Sequence, residues 1–285
     1  MTDPFPPLVS PAWLADNLGL SGLVLLDASL HLPAANRDAR AEFNDAHIAG
    51  ARFLDLASLT DKASPVPAAL PSPAQLAERL AQLGWSEGDR VVLYDDSAVK
   101  SSARAWFALK AHGIAEVALL DGGLARWRAE NRPLESGLPE TAPAIPAALS
   151  EPQRVITKQD VLAIIETGSD QLLDARSADR VFGTGIDPVH GGQNGRIPGS
   201  CNLPFGEVFA KDGTFKSPAE LRTLFKQAGI DLARPIVTTC GSGVTASVLL
   251  FALHLAGVET ARLYDGSWQE WSADPDTPKL QGAAK

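Results

Sequence analysis

The stretch TTCGSGVTAS, residues 238–247, places a cysteine at the end of the β-branched, apolar run PIVTTC, with glycines at 241 and 243 and then an apolar helical pattern. Glycine adopts backbone conformations that bulkier residues resist, so two of them beside a strand end let backbone N–H groups converge on one point. A helix starting near Val244 or Thr245 aims its unpaired N–H groups and positive dipole end at the same place. Thiols in such settings can have pKa values lowered from about 8.5 to about 3.5–7.5. This makes Cys240 a candidate nucleophile and Gly241, Ser242, Gly243, Val244 and Thr245 a candidate cradle for a sulfur anion. The hydroxyls of Ser242 and Thr245 could bond an outer sulfur or a substrate, although helix capping is an equally good use for Thr245.

Other chemistries suit the stretch less well. A phosphate-binding loop would end in Lys-Ser/Thr, and a dinucleotide loop would read GxGxxG; neither is present. A cysteine phosphatase would carry an arginine six positions after the cysteine, where this chain has Ala246. A Cys-His hydrolase needs a base, and the histidines are at 31, 47, 112, 190 and 254, of which His254 reads as a face of an apolar helix. A small buried core residue is the plain alternative for any free cysteine, but the two glycines argue for more.

The rest of the chain must position this loop. Its 285 residues, 45% of them apolar, are enough for two domains. With 25 basic and 34 acidic residues, the net charge of −9 argues against nucleic-acid or anionic-membrane partners. No apolar run approaches the roughly 20 residues that span a bilayer. The start, MTDPFPPLVSP, lacks the basic and apolar regions of a signal peptide, and the only two cysteines, Cys201 and Cys240, form no disulfide framework. A cytoplasmic location is expected. The histidines and cysteines show no metal-ligand spacing.

The chain repeats itself. LLDAS at 25–29 returns as LLDAR at 172–176, an offset of 147 (174 − 27); HIAGARFLDL at 47–56 returns as RIPGSCNLPF at 196–205, an offset of 149 (196 − 47). DRVVLYDDS answers RPIVTTCGS with Asp95 opposite Cys240, and LLDGGLARW answers RLYDGSWQEW with Asp121 opposite Asp265. Four matches in one order indicate a tandem duplication. Domains are expected at 1–131 and 154–285, joined by a proline-rich linker at 132–153. In each copy strands alternate with helical patterns, which predicts an α/β fold with a mainly parallel sheet flanked by helices. SPAELRTLFKQAG reads as a helix with Ser217 as cap, Pro218 at its first position and Gly229 as its stop. PIVTTC reads as a central strand, and ligands in such sheets bind beyond the carboxyl ends of the strands.

With the duplicated domains, HIAG/RIPG, CGSGVT and DGSWQEW, the chain from about Val9 to Trp271 resembles the two-domain rhodanese-family sulfurtransferases, and CGSGVT resembles their 3-mercaptopyruvate branch. The resemblance implies two tandem rhodanese-like domains, the first catalytically silent and the second active. It implies that Cys240 takes sulfur from 3-mercaptopyruvate as a persulfide, releases pyruvate, and passes the sulfur to cyanide, a small thiol or a thioredoxin, with no cofactor. Thiosulfate as donor, or a carrier loaded by another enzyme, are the alternatives. Arg180 matches a substrate-binding arginine of the family, whereas Arg176 reads as structural. Where a second arginine is expected the chain has Val189, and Arg196 or His190 is the available substitute. Ser242 matches a catalytic serine, but its histidine and aspartate helpers fall on Ala57 and Ala68, with His47 a stand-in and Asp55 matching a different aspartate. Cys201 is an extra thiol, expected to be buried.

Overall fold

The computed structural model describes residues 5–190 and 192–282, so the first four residues of the N-terminal stretch lie outside it. It divides into two compact units: Met1–Asp61 with Leu70–Gln153 and Lys211–Phe215, and Lys62–Ala69 with Arg154–Ala210 and Lys216–Lys285. Residues 62–69 and 211–215 thus each cluster with the unit opposite to their place in sequence. The proline-rich stretch 132–153 runs along the first unit, where Ala144 N–H donates to Ala81 O (2.8 Å) and Gln153 N–H to Ala111 O (2.8 Å).

The first unit contains β1 (Leu8–Val9), β2 (Leu23–Asp27), β3 (His47–Ile48), β4 (Arg52–Phe53), β5 (Arg90–Tyr94), β6 (Val117–Leu120) and β7 (Leu134–Glu135). Its main sheet has the order β1-β6-β5-β2-β4, parallel throughout, while β3 and β7 pair antiparallel. Its helices are α1 (Pro11–Asn17), α2 (Ala39–Asp45), α3 (Pro73–Gln82), α4 (Ser102–Ala111) and α5 (Gly123–Ala129).

The second unit contains β8 (Val155–Ile156), β9 (Gln171–Asp174), β10 (Cys201–Asn202), β11 (Ile236–Thr239) and β12 (Arg262–Tyr264), in the order β10-β9-β11-β12-β8, again all parallel. Read from the other edge, β8-β12-β11-β9-β10 reproduces the first sheet strand for strand, as the sequence repeat requires. The strand ending in Cys240 is the central one, and its residues Ile236–Thr239 are all buried, which explains the unbroken β-branched run. The helices are α6 (Lys158–Thr167), α7 (Ala178–Phe182), α8 (Pro218–Gln227), α9 (Val244–Leu255) and α10 (Ser267–Ala273). Helix α8 starts as predicted: Ser217 accepts from the Glu220 N–H and the Glu220 carboxylate accepts in return, a reciprocal cap. Gly229, just past its end, has φ +85°, a left-handed stop. Helix α9 is apolar because Ala246–Leu253 are all buried.

After β9 the chain crosses to β10 on one side, and after β11 to β12 on the other. The direction of winding reverses between β9 and β11, and the crevice at their carboxyl ends is where a parallel α/β sheet binds ligands. Among the described residues no helix is long and apolar enough to cross a membrane.

Candidate active site

Cys240 lies at that crevice, one residue past β11 and only 2% exposed. Two elements lock its backbone. Its N–H donates to Ser267 Oγ (3.1 Å), which in turn donates to the Tyr264 carbonyl (2.9 Å). The carbonyls of Cys240 and Gly241 accept the N–H groups of Trp268 (2.9 Å) and Gln269 (3.0 Å) at the start of α10. Ser267 achieves this with φ +51°, in the left-handed region where the repeat has Gly123 at +57°. Ser267 was not legible as a site residue, although the repeated DGG/DGS turn marked the position.

Beyond Cys240 the backbone turns at Gly243, φ +80°, which caps α9 without any side-chain bond. Thr245 therefore does not act as the cap. Among the described residues, the N–H groups of Gly241, Ser242, Gly243, Val244 and Thr245 donate to no protein acceptor, and the hydroxyls of Ser242 and Thr245 have no partner. Both side chains are half-buried. A run of unpaired donors at a helix start, beside a sulfur, is an arrangement that favours negative charge.

Two side chains from the β9–β10 connection face the loop. A Cβ added to Gly241 would collide with the His190 ring and stand 3.1 Å from Arg180 Nη2. Arg180, on α7, is held by Asp187: Nε lies 3.1 Å from both carboxylate oxygens and Nη2 2.7 Å from Oδ2. Asp187 is fully buried and also accepts the N–H groups of Val189 (2.8 Å) and His190 (3.3 Å). Burial works against its charge, but the Arg180 fork and these N–H groups outweigh it and hold the carboxyl below its ordinary range. His190 goes below its ordinary value too, chiefly through burial and then through the Arg180 charge. Gly241→Ala is expected to lower kcat/KM for a sulfur donor by roughly tenfold or more while shifting the urea midpoint little. The obstructing atoms are side-chain ends that can swing away from the new methyl, at the cost of their place over the loop. Steady-state kinetics and urea unfolding check this; unchanged kinetics would count against the packing having a role.

The other predicted residues lie elsewhere. The structure commits Arg196 to the C-terminal segment: its guanidinium donates to Gly282 O (2.6 Å) and stands 5.0 Å from the Phe182 ring centre, while its backbone pairs with Leu280. The separation of 86 residues hid this pairing. Val189 is 40% exposed and offers no charge. Arg176 is the buried centre of an ion-pair cluster: it forks onto Asp174, donates to Gly195 O (2.7 Å) and lies 4.6 Å from the Trp268 ring centre. His47 is buried, donating from Nδ1 to Phe43 O (2.7 Å) and stacking on the Phe43 ring. Asp55 accepts from the Ala57 N–H (3.1 Å) and caps a short turn. Cys201 is half-buried, and burial pushes its thiol up. The described residues contain no cluster of three or more His, Cys, Asp or Glu suited to a metal.

The first unit fills the equivalent place with its own anion. The Asp95 carboxylate accepts from Ser97 N–H (2.9 Å), Ser97 Oγ (2.9 Å) and Ser102 N–H (3.0 Å), so the donors of that loop are consumed internally. Where Arg176 neutralises Asp174, the first unit has only Ser29 beside Asp27. Burial, reinforced by Asp95, pushes the Asp27 carboxyl up to about 6 against the hydrogen bonds from Ser29. The folded protein then takes up this proton as pH falls through about 6, whereas the unfolded chain waits until about 3.9. The burial cost is full above pH 6 and gone below 4. Asp27→Asn is expected to stabilise the protein by roughly 2–3 kcal/mol at pH 7.5 and to have little effect at pH 4, read as the difference in urea midpoints between variant and parent at each pH.

The chain is similar to known proteins over nearly its whole length. The Rhodanese-like domain matches residues 10–130 and 157–274. A 3-mercaptopyruvate sulfurtransferase from Mus musculus is 40% identical over 99% of this chain and 97% of its own. A thiosulfate sulfurtransferase from Bos taurus is 38% identical over 96% of this chain and 95% of its own. The crystal structure of SseA from Escherichia coli, a 3-mercaptopyruvate sulfotransferase with the rhodanese fold, superposes with a TM-score of 0.84 at 34% identity, covering 92% of this chain and 98% of that one. With two copies of one α/β domain matching over nearly its whole length, the chain belongs to the rhodanese family of sulfurtransferases.

Proposed function

We propose that the chain transfers sulfur from 3-mercaptopyruvate, through a persulfide on Cys240, to a thiophilic acceptor such as cyanide, a small thiol or a thioredoxin. The observation that carries this reading is Cys240 at the strand end, directly before the N–H groups of Gly241 to Thr245, which have no protein acceptor among the described residues. In the first half-reaction the thiolate attacks the donor sulfur, an S–S bond forms and the C–S bond breaks. Its electron pair passes to the carbon fragment as an enolate, which takes a proton and leaves as pyruvate. The loop donors favour the thiolate before attack and the terminal sulfur of the persulfide after it, with no reorganisation between the two. The acceptor then attacks the outer sulfur, and the Cys240 thiolate is the leaving group.

Thiosulfate is the second reading, and the observation that favours it is the 38% identity with a thiosulfate sulfurtransferase over 96% of the chain. Incubating the protein separately with each donor, with intact mass and released product measured together, distinguishes the two. Gain of one sulfur atom with one pyruvate released supports the first reading, gain with sulfite released supports the second, and no gain from either rejects both.

A further inference from the structure

His190 deepens the proposed function and rests on it. Residues 183–190 and 192–195 are fixed at three points, with His190 against Gly241 of the Cys240 loop. Asp187 is clasped by Arg180, Gln193 O accepts the Trp268 indole N–H (2.8 Å), and Gly195 O accepts Arg176 (2.7 Å). Among these residues, Asp187 N–H donates to Gly192 O (2.6 Å) and Asn194 N–H to Gly185 O (2.7 Å). These bonds therefore hold His190 by its backbone and present its ring, Nε2 and Cδ2 foremost, to the bare face of Gly241. Among the described residues the ring nitrogens have no hydrogen-bond partner, although the side chain is half-buried. Arg196 is turned away to Gly282, which leaves His190 as the group beside Arg180 at the loop.

We propose that His190 is a specificity-determining residue of the sulfur-donor site, binding the donor's anionic group as a neutral hydrogen-bonding partner beside Arg180 and selecting a monoanionic donor over a dianionic one. The fixed charges around it balance: Arg176 and Arg180 against Asp174 and Asp187. A neutral imidazole supplies an N–H without adding charge. A donor with one carboxylate then meets one partly shared guanidinium, the ring and the loop N–H groups. A dianion must bring a second charge out of water without a second cation to receive it. The charged groups acting on His190 are Arg180, Asp187 and Arg176, and on the loop side it meets the bare face of Gly241. Burial and the Arg180 charge, acting against Asp187, keep the ring neutral at pH 7.5. Protonation at lower pH supplies the missing charge and relaxes the selection.

The test compares kcat and KM for 3-mercaptopyruvate and thiosulfate in the parent, His190→Ala, His190→Gln and His190→Arg, with intact mass to follow sulfur on Cys240. His190→Ala is expected to raise the 3-mercaptopyruvate KM about tenfold or more while kcat changes less than about twofold, the loss of one hydrogen bond to a charged group. His190→Gln, which keeps a neutral donor, restores most of that KM. His190→Arg raises the thiosulfate-to-mercaptopyruvate ratio of kcat/KM by about tenfold. Acidifying the parent far enough below 6.5 to protonate the ring moves the ratio in the same direction, and the ratio of His190→Ala stays flat. An unchanged KM in His190→Ala, an equal rise in His190→Gln, or a donor ratio unmoved by His190→Arg overturns the proposal while leaving the persulfide reading intact. Failure of the parent to load Cys240 from either donor overturns both.

Discussion

Replacing Cys240 by serine is expected to abolish sulfur transfer, with kcat falling by about four orders of magnitude or more and no sulfur gained in the intact mass after incubation with either donor. Losses of this size accompany removal of a covalent nucleophile, because the remaining site can bind and orient but cannot form the intermediate. Serine preserves the volume and the backbone bonds to Ser267, Trp268 and Gln269, so the urea midpoint should move by little. The second thiol is the internal control. Cys201 is half-buried on β10, and its raised thiol leaves less thiolate to attack a donor. Cys201→Ser should therefore load one sulfur like the parent. Sulfur appearing on Cys201 in the Cys240→Ser protein, or turnover persisting in it, would overturn the assignment of the nucleophile.

The Cys240 loop was legible because its signal is local: a strand end, two glycines and a helix start are contiguous, and each has a backbone cause. The duplication was legible too, since it requires only that four short runs recur in order, and the two strand orders match accordingly. What the sequence concealed is assembled from distant residues. His190 and Gly241 are 51 positions apart (241 − 190), and nothing in GIDPVHGG announces that its histidine closes over the loop. Asp187 looks like a turn aspartate, and that is half of its role; the other half, holding Arg180, depends on how the turn folds back. Arg196 was misdirected for the converse reason. Its place before IPG suggested the crevice, but its guanidinium is satisfied by the C-terminal segment. The first unit shows the same limit. Asp95 read only as the residue opposite Cys240 in the repeat, whereas the structure shows its carboxylate accepting the Ser97 and Ser102 N–H groups of its own loop.

Arg176→Met is expected to be the most destabilising substitution in the second unit, by about 3–5 kcal/mol, because it removes one partner from a buried ion pair and leaves the other charged. The Arg176 side chain is inaccessible to solvent, as is that of Asp187, and Asp174 is 1% exposed. Asp174 takes three of the guanidinium contacts, at 3.1, 3.2 and 2.7 Å, and Asp187 Oδ2 lies 3.7 Å from Nη1. Without Arg176, Asp174 would lose its buried cation and Asp187 would keep only Arg180. The double variant Asp174→Asn/Arg176→Met tests whether charge is the cause. Asparagine can still accept the residue-176 backbone N–H, which Asp174 Oδ1 receives at 3.0 Å, but it leaves no stranded charge. It should recover a large part of the lost urea midpoint. If single and double variants unfold at the same midpoint, the cost comes from the lost packing on Trp268 and the lost bond to Gly195 rather than from electrostatics. The first unit already resembles the single variant: Ser29 stands in the place of Arg176, and Asp27 escapes its burial cost only by taking up a proton as the pH falls through about 6. The second unit cannot use that solution. A neutral residue 176 would not hold Gly195 or help balance Asp187, and the segment that carries Asp187 and His190 to the Cys240 loop would lose one of its anchors.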